Sequence, residues 1–256
     1  MVSYNLINHK WGILRDYTPN TIYYSDELVT LIALLFTDGG VSKHRLTSWR
    51  IFFANTSLEA ITLFKEVMQK IFKLSPDRIK VSTTLERYHF VTITSKAIGK
   101  FLTESFGTFR TLKFKDGKFP LTEIPVVELI KSRKVELFLR TAFSMDGGVK
   151  FYIARAKDGR RWLERSITLA CHHPILRQQY MELLSSINIQ AINIERDNVI
   201  KISRKENFEQ FAQKVGFVSG LKTTRHSKFW VDVEKNDVLQ MMIDSYNNPS
   251  HYLSLS

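Results

Sequence analysis

The chain carries an internal repeat, and nothing else in its sequence constrains the fold as strongly. Residues 28–41 read LVTLIALLFTDGGV and residues 136–149 read ELFLRTAFSMDGGV. Both are apolar runs of helical spacing that end in Asp-Gly-Gly-Val, with Asp38 and Asp146 closing them about a hundred residues apart. The sequence around them matches too. After the first motif come polar and basic residues, VSKHRLTSW, and then an apolar strand, RIFFAN; after the second come VKFYIARAKDGRRW and RSITLA. An amphipathic helix follows in each half, 58–72 and 174–187, with apolar residues three and four apart forming one buried stripe. Pro174 suits a first helical turn. Two further strand-like runs come next, 78–86 with 87–95 and 190–197 with 198–205, and Arg196-Asp197-Asn198 has the chemistry of a hairpin turn. Short helices at 97–105 and 208–215 close the halves.

Each half therefore reads αββαββα, and the expected class is α+β with antiparallel sheets. The expected organisation is an N-terminal extension at 1–24, a first repeat at 25–117, a linker and helix lead-in at 118–134, a second repeat at 135–230 and a C-terminal segment at 231–256. Tyr4, Trp11, Tyr23 and Tyr24 in the extension suggest packing on the first half or contact with a ligand.

Composition narrows the partner. Lys and Arg number 37 against 25 Asp and Glu, a formal net charge of +12, which suits a polyanion. No block of five like charges makes a basic tail. A single cysteine, Cys171, excludes a disulfide framework and argues against a thiolate zinc site. No apolar stretch approaches membrane-spanning length, and the first residues lack the apolar core of a secretory signal, so an intracellular, non-membrane protein is expected. His172 and His173 are adjacent on an extended stretch and point apart, which disfavours a shared metal.

The acids are locally unfavourable where they stand. A helix C-terminus carries partial negative charge that repels a carboxylate. The glycines account for the helix stop through a left-handed cap, but not for the Asp. A divalent cation accounts for it, because it offsets both the carboxylate and the free carbonyls, and Mg²⁺ accepts a carboxylate with backbone oxygen, water and phosphate. Asp38 and Asp146, with the backbone of Gly39 and Gly147, are the candidate ligands. Small and modest side chains on the motif helices, Ala33, Thr37, Thr141 and Ala142, would let two helices approach closely across a pseudo-twofold and bring the acids together. Paired metal sites stabilise both the attacking and the leaving oxygen of phosphodiester hydrolysis.

LIALLFTDG and LRTAFSMDG resemble the two signature helices of the LAGLIDADG homing endonucleases in their single-chain form, over roughly residues 25–230. Phe36 and Ser144 stand where the signature has its first Asp; the last Asp, the family's metal ligand, is present in both copies. The resemblance implies a saddle of antiparallel sheets related by a pseudo-twofold, with paired central helices, laid as a monomer over a long double-stranded DNA site. It implies two or three Mg²⁺ ions at the motif acids and cleavage of both strands with short 3′ overhangs. It also implies a polar residue after the second strand of each half, near the attacking water: Asn55, and Cys171 or His172. Asn55 has an equal reading as a cap for the following helix, a role Ser57 also suits. A late lysine that assists the chemistry is implied in each half, with Lys113 or Lys115 and Lys222 as candidates; phosphate positioning is the equal alternative. The sequence shows no intein splicing residues, which points to an intron-encoded or free-standing enzyme.

Strands that alternate charged with apolar residues present one charged face. The expected DNA contacts are Lys43, Arg45, Arg50, Arg78, Lys80, Arg87 and His89 in the first half, and Lys150, Arg155, Lys157, Arg160, Arg161, Arg165, Arg196 and Lys201 in the second. Arg45, Arg50, Arg87, Arg155, Arg161, Arg165, Gln190 and Asn193 are the expected base readers. The competing expectations are an RNA-binding intron maturase, with intron RNA as partner, and a DNA-binding regulator that has lost cleavage.

Overall fold

A computed structural model of the chain describes residues 22–45, 48–85, 88–224 and 229–254. The chain divides into two compact units, Met1–Pro125 and Val126–Ser256.

In the first unit Ser25 caps helix α1 (Asp26–Phe36), its hydroxyl accepting from the Leu28 amide, with Asp26 and Glu27 favourably placed in the first turn. Every residue from Leu28 to Phe36 is buried, so this helix is covered on all sides and shows no polar stripe. Strands β1 (Gly39–Arg45) and β2 (Ser48–Asn55), helix α2 (Leu58–Phe72), strands β3 (Lys80–Thr83) and β4 (His89–Thr94) and helix α3 (Lys96–Phe106) follow. The sheet is antiparallel in the order β1-β2-β4-β3. Ser57 and Ser95 cap α2 and α3 with their hydroxyls. The helices cover one face of the sheet, where Ile51, Phe53, Val91 and Ile93 are buried and Phe53 stacks on Phe64 at 4.9 Å.

The second unit opens with α4 (Val126–Lys131) and repeats the pattern: α5 (Val135–Met145), β5 (Gly147–Arg155), β6 (Arg161–Ala170), α6 (Pro174–Ser186), β7 (Ala191–Ile194), β8 (Val199–Ile202) and α7 (Lys205–Lys214). Its sheet has the matching order β5-β6-β8-β7, again antiparallel. Helices α8 (Lys235–Asp244) and α9 (Pro249–Leu253) add a layer that packs on β5 and β6. The class is thus α+β, with αββαββα in each unit.

The polar and basic runs after the motifs form the first strand of each half, as the αββαββα reading requires. The expected hairpin turn at 196–198 is a short 3-10 turn, Glu195–Asp197, closed by Asn198 in the left-handed region at φ 53. Helices α4, α8 and α9 lie outside the repeat pattern and were not expected from it.

Candidate active site

Each motif acid sits at the junction of a buried helix and an edge strand. Helix α1 ends at Phe36, Thr37 turns the chain with its hydroxyl donating to the Ala33 and Leu34 carbonyls, and Asp38 leads into β1. Asp146 is itself the cap of α5. The next strand pins both main chains identically: the Ala54 amide donates to the Asp38 carbonyl and the Ala170 amide to the Asp146 carbonyl, each at 3.0 Å.

The glycines do a different job from the expected one. None of Gly39, Gly40, Gly147 and Gly148 is among the glycines with positive φ, so they form no left-handed cap. Gly39 and Gly147 are needed because sheet and helix backbones converge there. A Cβ at Gly147 would lie 2.5 Å from the Phe143 carbonyl oxygen and 2.8 Å from that of Thr168. At Gly39 it would lie 3.0 Å from the Leu34 and Phe52 carbonyl oxygens. At Gly148 it would meet nothing within 4 Å.

Side chains around the acids differ. The Asn55 amide donates to the Asp38 carboxylate at 2.7 Å, while its own oxygen accepts from the Ser57 amide at 2.8 Å. Ser57, not Asn55, caps α2, and Asn55 joins the acid to the residue that starts the helix. In the second unit Cys171 follows Ala170 as Asn55 follows Ala54. Burial pushes the Cys171 thiol up to about 11; the Asp146 charge adds to the rise, against the His173 backbone and the Arg177 charge. Its Sγ donates to the His173 carbonyl at 3.6 Å. His172 is exposed, and buried His173 caps α6 by accepting from the Leu176 amide, so the two histidines are on different duties.

The three candidate lysines are exposed. Lys113 lies over the Phe119 ring at 5.1 Å, Lys115 is on the adjoining loop, and Lys222 forms a backbone bridge with Glu234. The residue that reaches the motif is Lys235, the first of α8 and only 7% exposed. Its Nζ donates to the Ser144 carbonyl at 2.6 Å and the Gly147 carbonyl at 2.8 Å. A cation on helix-end carbonyls is favourable, and here it takes the Gly147 oxygen that the sequence offers to a metal. Asp146, Gly147, Lys150, Thr168 and Lys235 line a cavity of about 560 Å³ beside β5. The sole sequence signal for Lys235 is its place at the head of an apolar helical pattern, Val238, Leu239, Met242 and Ile243.

Among the described residues no three His, Cys, Asp or Glu side chains gather into a metal cluster. Each unit offers one carboxylate, a donor set that fits Mg²⁺ with water and phosphate filling its shell and does not fit zinc.

Strand register sorts the basic candidates. In the first sheet Arg50 pairs with Ser42 and Thr94, and Lys80 with Thr92, on the face away from the helices. Lys43 pairs with Trp49 and His89 with Asn55, on the same side as Ile51 and Phe53, so these two do not share the charged face. Arg78 is exposed in the 3-10 turn Pro76–Arg78, outside the strands. The Arg45 side chain and Arg87 lie outside the described residues, as do Tyr4 and Trp11.

In the second sheet Lys150, Tyr152, Trp162 and Lys201 lie on the face away from the helices, where Lys201 pairs with Glu164 at 3.1 Å. Arg155, Arg161 and Arg165 share the opposite face with Ile167, contrary to expectation. The C-terminal helices explain this: Arg165 donates to Ser245 and stacks on Tyr246 at 4.2 Å, and Arg161 donates to the Leu253 carbonyl at 2.6 Å. Asn193 accepts from Arg177 at 3.0 Å, so its side chain is already used within the unit. Gln190 is exposed just before β7, and Arg196, 88% exposed, pairs with Asp197. Lys157 and Arg160 belong to the exposed loop joining β5 to β6.

No protein-family model and no curated protein sequence matches the chain. Solved structures do. The LAGLIDADG meganuclease I-AabMI, bound to uncleaved DNA, superposes with a TM-score of 0.50 at 12% identity, covering 87% of this chain and 92% of that one. The homing endonuclease I-WcaI, bound to its DNA recognition sequence, gives 0.48 at 17%, covering 81% and 94%. The N-terminal LAGLIDADG domain of WhiA gives 0.45 at 18%, covering 79% and 89%. Taken with the αββαββα order and matched sheet topology of both units, the I-AabMI likeness shows that this chain has the LAGLIDADG fold.

Proposed function

We propose that the chain is a site-specific homing endonuclease. It makes a double-strand break in a long DNA target by metal-dependent phosphodiester hydrolysis and leaves short 3′ overhangs. The observation that carries this reading is the duplicated acid: Asp38 and Asp146 stand at the same point of two like-folded units, each with its main chain pinned by the following strand. A net charge of +12 agrees with a DNA partner.

In this reading each acid serves one strand. Mg²⁺ bound there supplies charge stabilisation at the phosphate and a more acidic water. The chain's own residues do the rest. Asn55 fixes the orientation of the Asp38 carboxylate through its 2.7 Å bond. Lys235 holds the backbone on either side of Asp146 and brings positive charge to the second site. Arg50, Lys80 and Lys150, exposed on the faces away from the helices, contact the duplex. With both acids in one chain, the enzyme acts as a monomer. No described helix is long and apolar enough to cross a membrane.

The test is cleavage selection from a randomised duplex library with Mg²⁺, followed by sequencing of the ends. Recovery of one long site cut on both strands with a 3′ stagger, abolished by EDTA, is expected. Binding of duplex DNA or intron RNA with every strand intact would overturn the reading in favour of a maturase or regulator.

A further inference from the structure

A buried guanidinium in the second unit is not accounted for by the fold of the repeat. Arg177, on α6, is 5% exposed. An arginine stays charged in a protein interior, and burying it is costly unless its donors are satisfied. Its guanidinium donates to four neutral oxygens: Cys171 O at 2.6 Å, and His172 O, Asn193 Oδ1 and Asn198 Oδ1 at 3.0 Å each.

The first repeat shows that the architecture does not require this charge. Ser57 and His173 are the matching caps of α2 and α6. Four residues beyond them stand Ile61 and Arg177, both buried. One repeat fills the position with hydrocarbon and the other with a cation, so the guanidinium serves something peculiar to the second half.

Its partners say what. Ala170 donates to the Asp146 carbonyl, and the next residue, Cys171, donates through its amide to the Asn198 carbonyl at 2.8 Å. Arg177 closes the loop by gripping the carbonyls of Cys171 and His172 on one side and the side chains of Asn193 and Asn198 on the other. The turn at 195–198 and the strand end beside the acid are thereby tied to one rigid group. Arg196, the exposed cation of that turn, is suited to a phosphate.

We infer that Arg177 is the positioning residue of the second site, coupling DNA contact at the 195–198 turn to the placement of Asp146. It rests on the nuclease reading above and acts through other residues, so it is not catalytic itself.

A double-mutant cycle tests it, using a duplex selected by wild-type cleavage. In the wild-type background Arg196→Ala slows single-turnover cutting about tenfold, the cost of a lost phosphate contact that also positions the site. In the Arg177→Met background the same change slows cutting less than about twofold, while it weakens duplex binding equally in both backgrounds. A merely structural arginine would lower stability and rate without removing the effect of Arg196. Should Arg177→Met fail to fold, as judged by circular dichroism, Arg177→Lys runs the same cycle with fewer donors and the same expected loss of coupling. Equal slowing by Arg196→Ala in both backgrounds overturns the inference alone. A wild-type chain that cuts no duplex overturns the nuclease reading and this inference with it.

Discussion

Asn55 and Cys171 occupy the same place in two repeats, one residue beyond the alanine whose amide holds the motif acid. In the first repeat that place carries an amide bonded to the acid's carboxylate; in the second it carries a thiol kept neutral by burial. The difference extends outward. The second acid has Lys235 on the backbone around it and Arg177 behind the next strand end, where the first repeat has Ile61. The two repeats therefore share the main-chain frame that holds each acid's backbone. The side chains around it differ, so the two proposed sites surround their acids differently.

The largest effect expected from this comparison separates the two positions directly. Asn55→Ala should slow cleavage by about thirty- to a hundredfold, because a partner that orients a ligating carboxylate is lost. Cys171→Ala should change it by less than about threefold, since a protonated thiol offers the acid little. Equal losses, measured by single-turnover cleavage, would break the comparison. Next, Lys235→Met should cost about tenfold in rate and about 4–8 °C in melting temperature, as two helix-end carbonyls lose a buried donor. Cutting unchanged by that variant would remove lysine from the second site. Gly147→Ala should destabilise by about 2 kcal/mol and Gly148→Ala by under about 0.5 kcal/mol, which denaturant unfolding would compare. Gly39→Ala should fall between them, its Cβ clearing the neighbouring oxygens by more than at Gly147.

A further expected effect is a dependence on pH. In the folded, metal-free protein the Cys171 thiol holds its proton up to about 11, against 9.0 in its ordinary state. The unfolded chain loses that proton first, so the thiol's contribution is complete below 9.0 and disappears as pH rises through about 11. Discounted for the partial exposure of the residue, the loss is about 1 kcal/mol. Cys171→Ala should lack this part of the alkaline decline in melting temperature.

Much of the architecture is written in short-range pattern. The apolar stripe of α2 fixes 58–72 to the residue, and the twice-repeated DGG marks both acids without any structure. Asn55 is legible too, because it lies at a strand end two residues from a cap. What escapes is what depends on distant chain. Lys235 reaches its two carbonyls from 91 and 88 residues away, and nothing near it in sequence announces them. The faces of the second sheet show a subtler limit. Charge suggests that Arg161 and Arg165 look outward, yet alternation along β6 sets them beside Ile167 and Leu169. Only α8 and α9, beyond the repeat, make that face habitable for guanidinium groups. Likewise the glycines say that a helix stops, but not that backbone crowding rather than a left-handed turn is the reason.

In the proposed reaction two acids, one per repeat, cut the two strands. Asp38→Asn and Asp146→Asn, assayed with Mg²⁺ on a wild-type-selected duplex, test it most directly when binding is followed alongside by gel shift. Each variant should retain duplex binding and yield no double-strand break. Full double-strand cutting by either one would contradict the account.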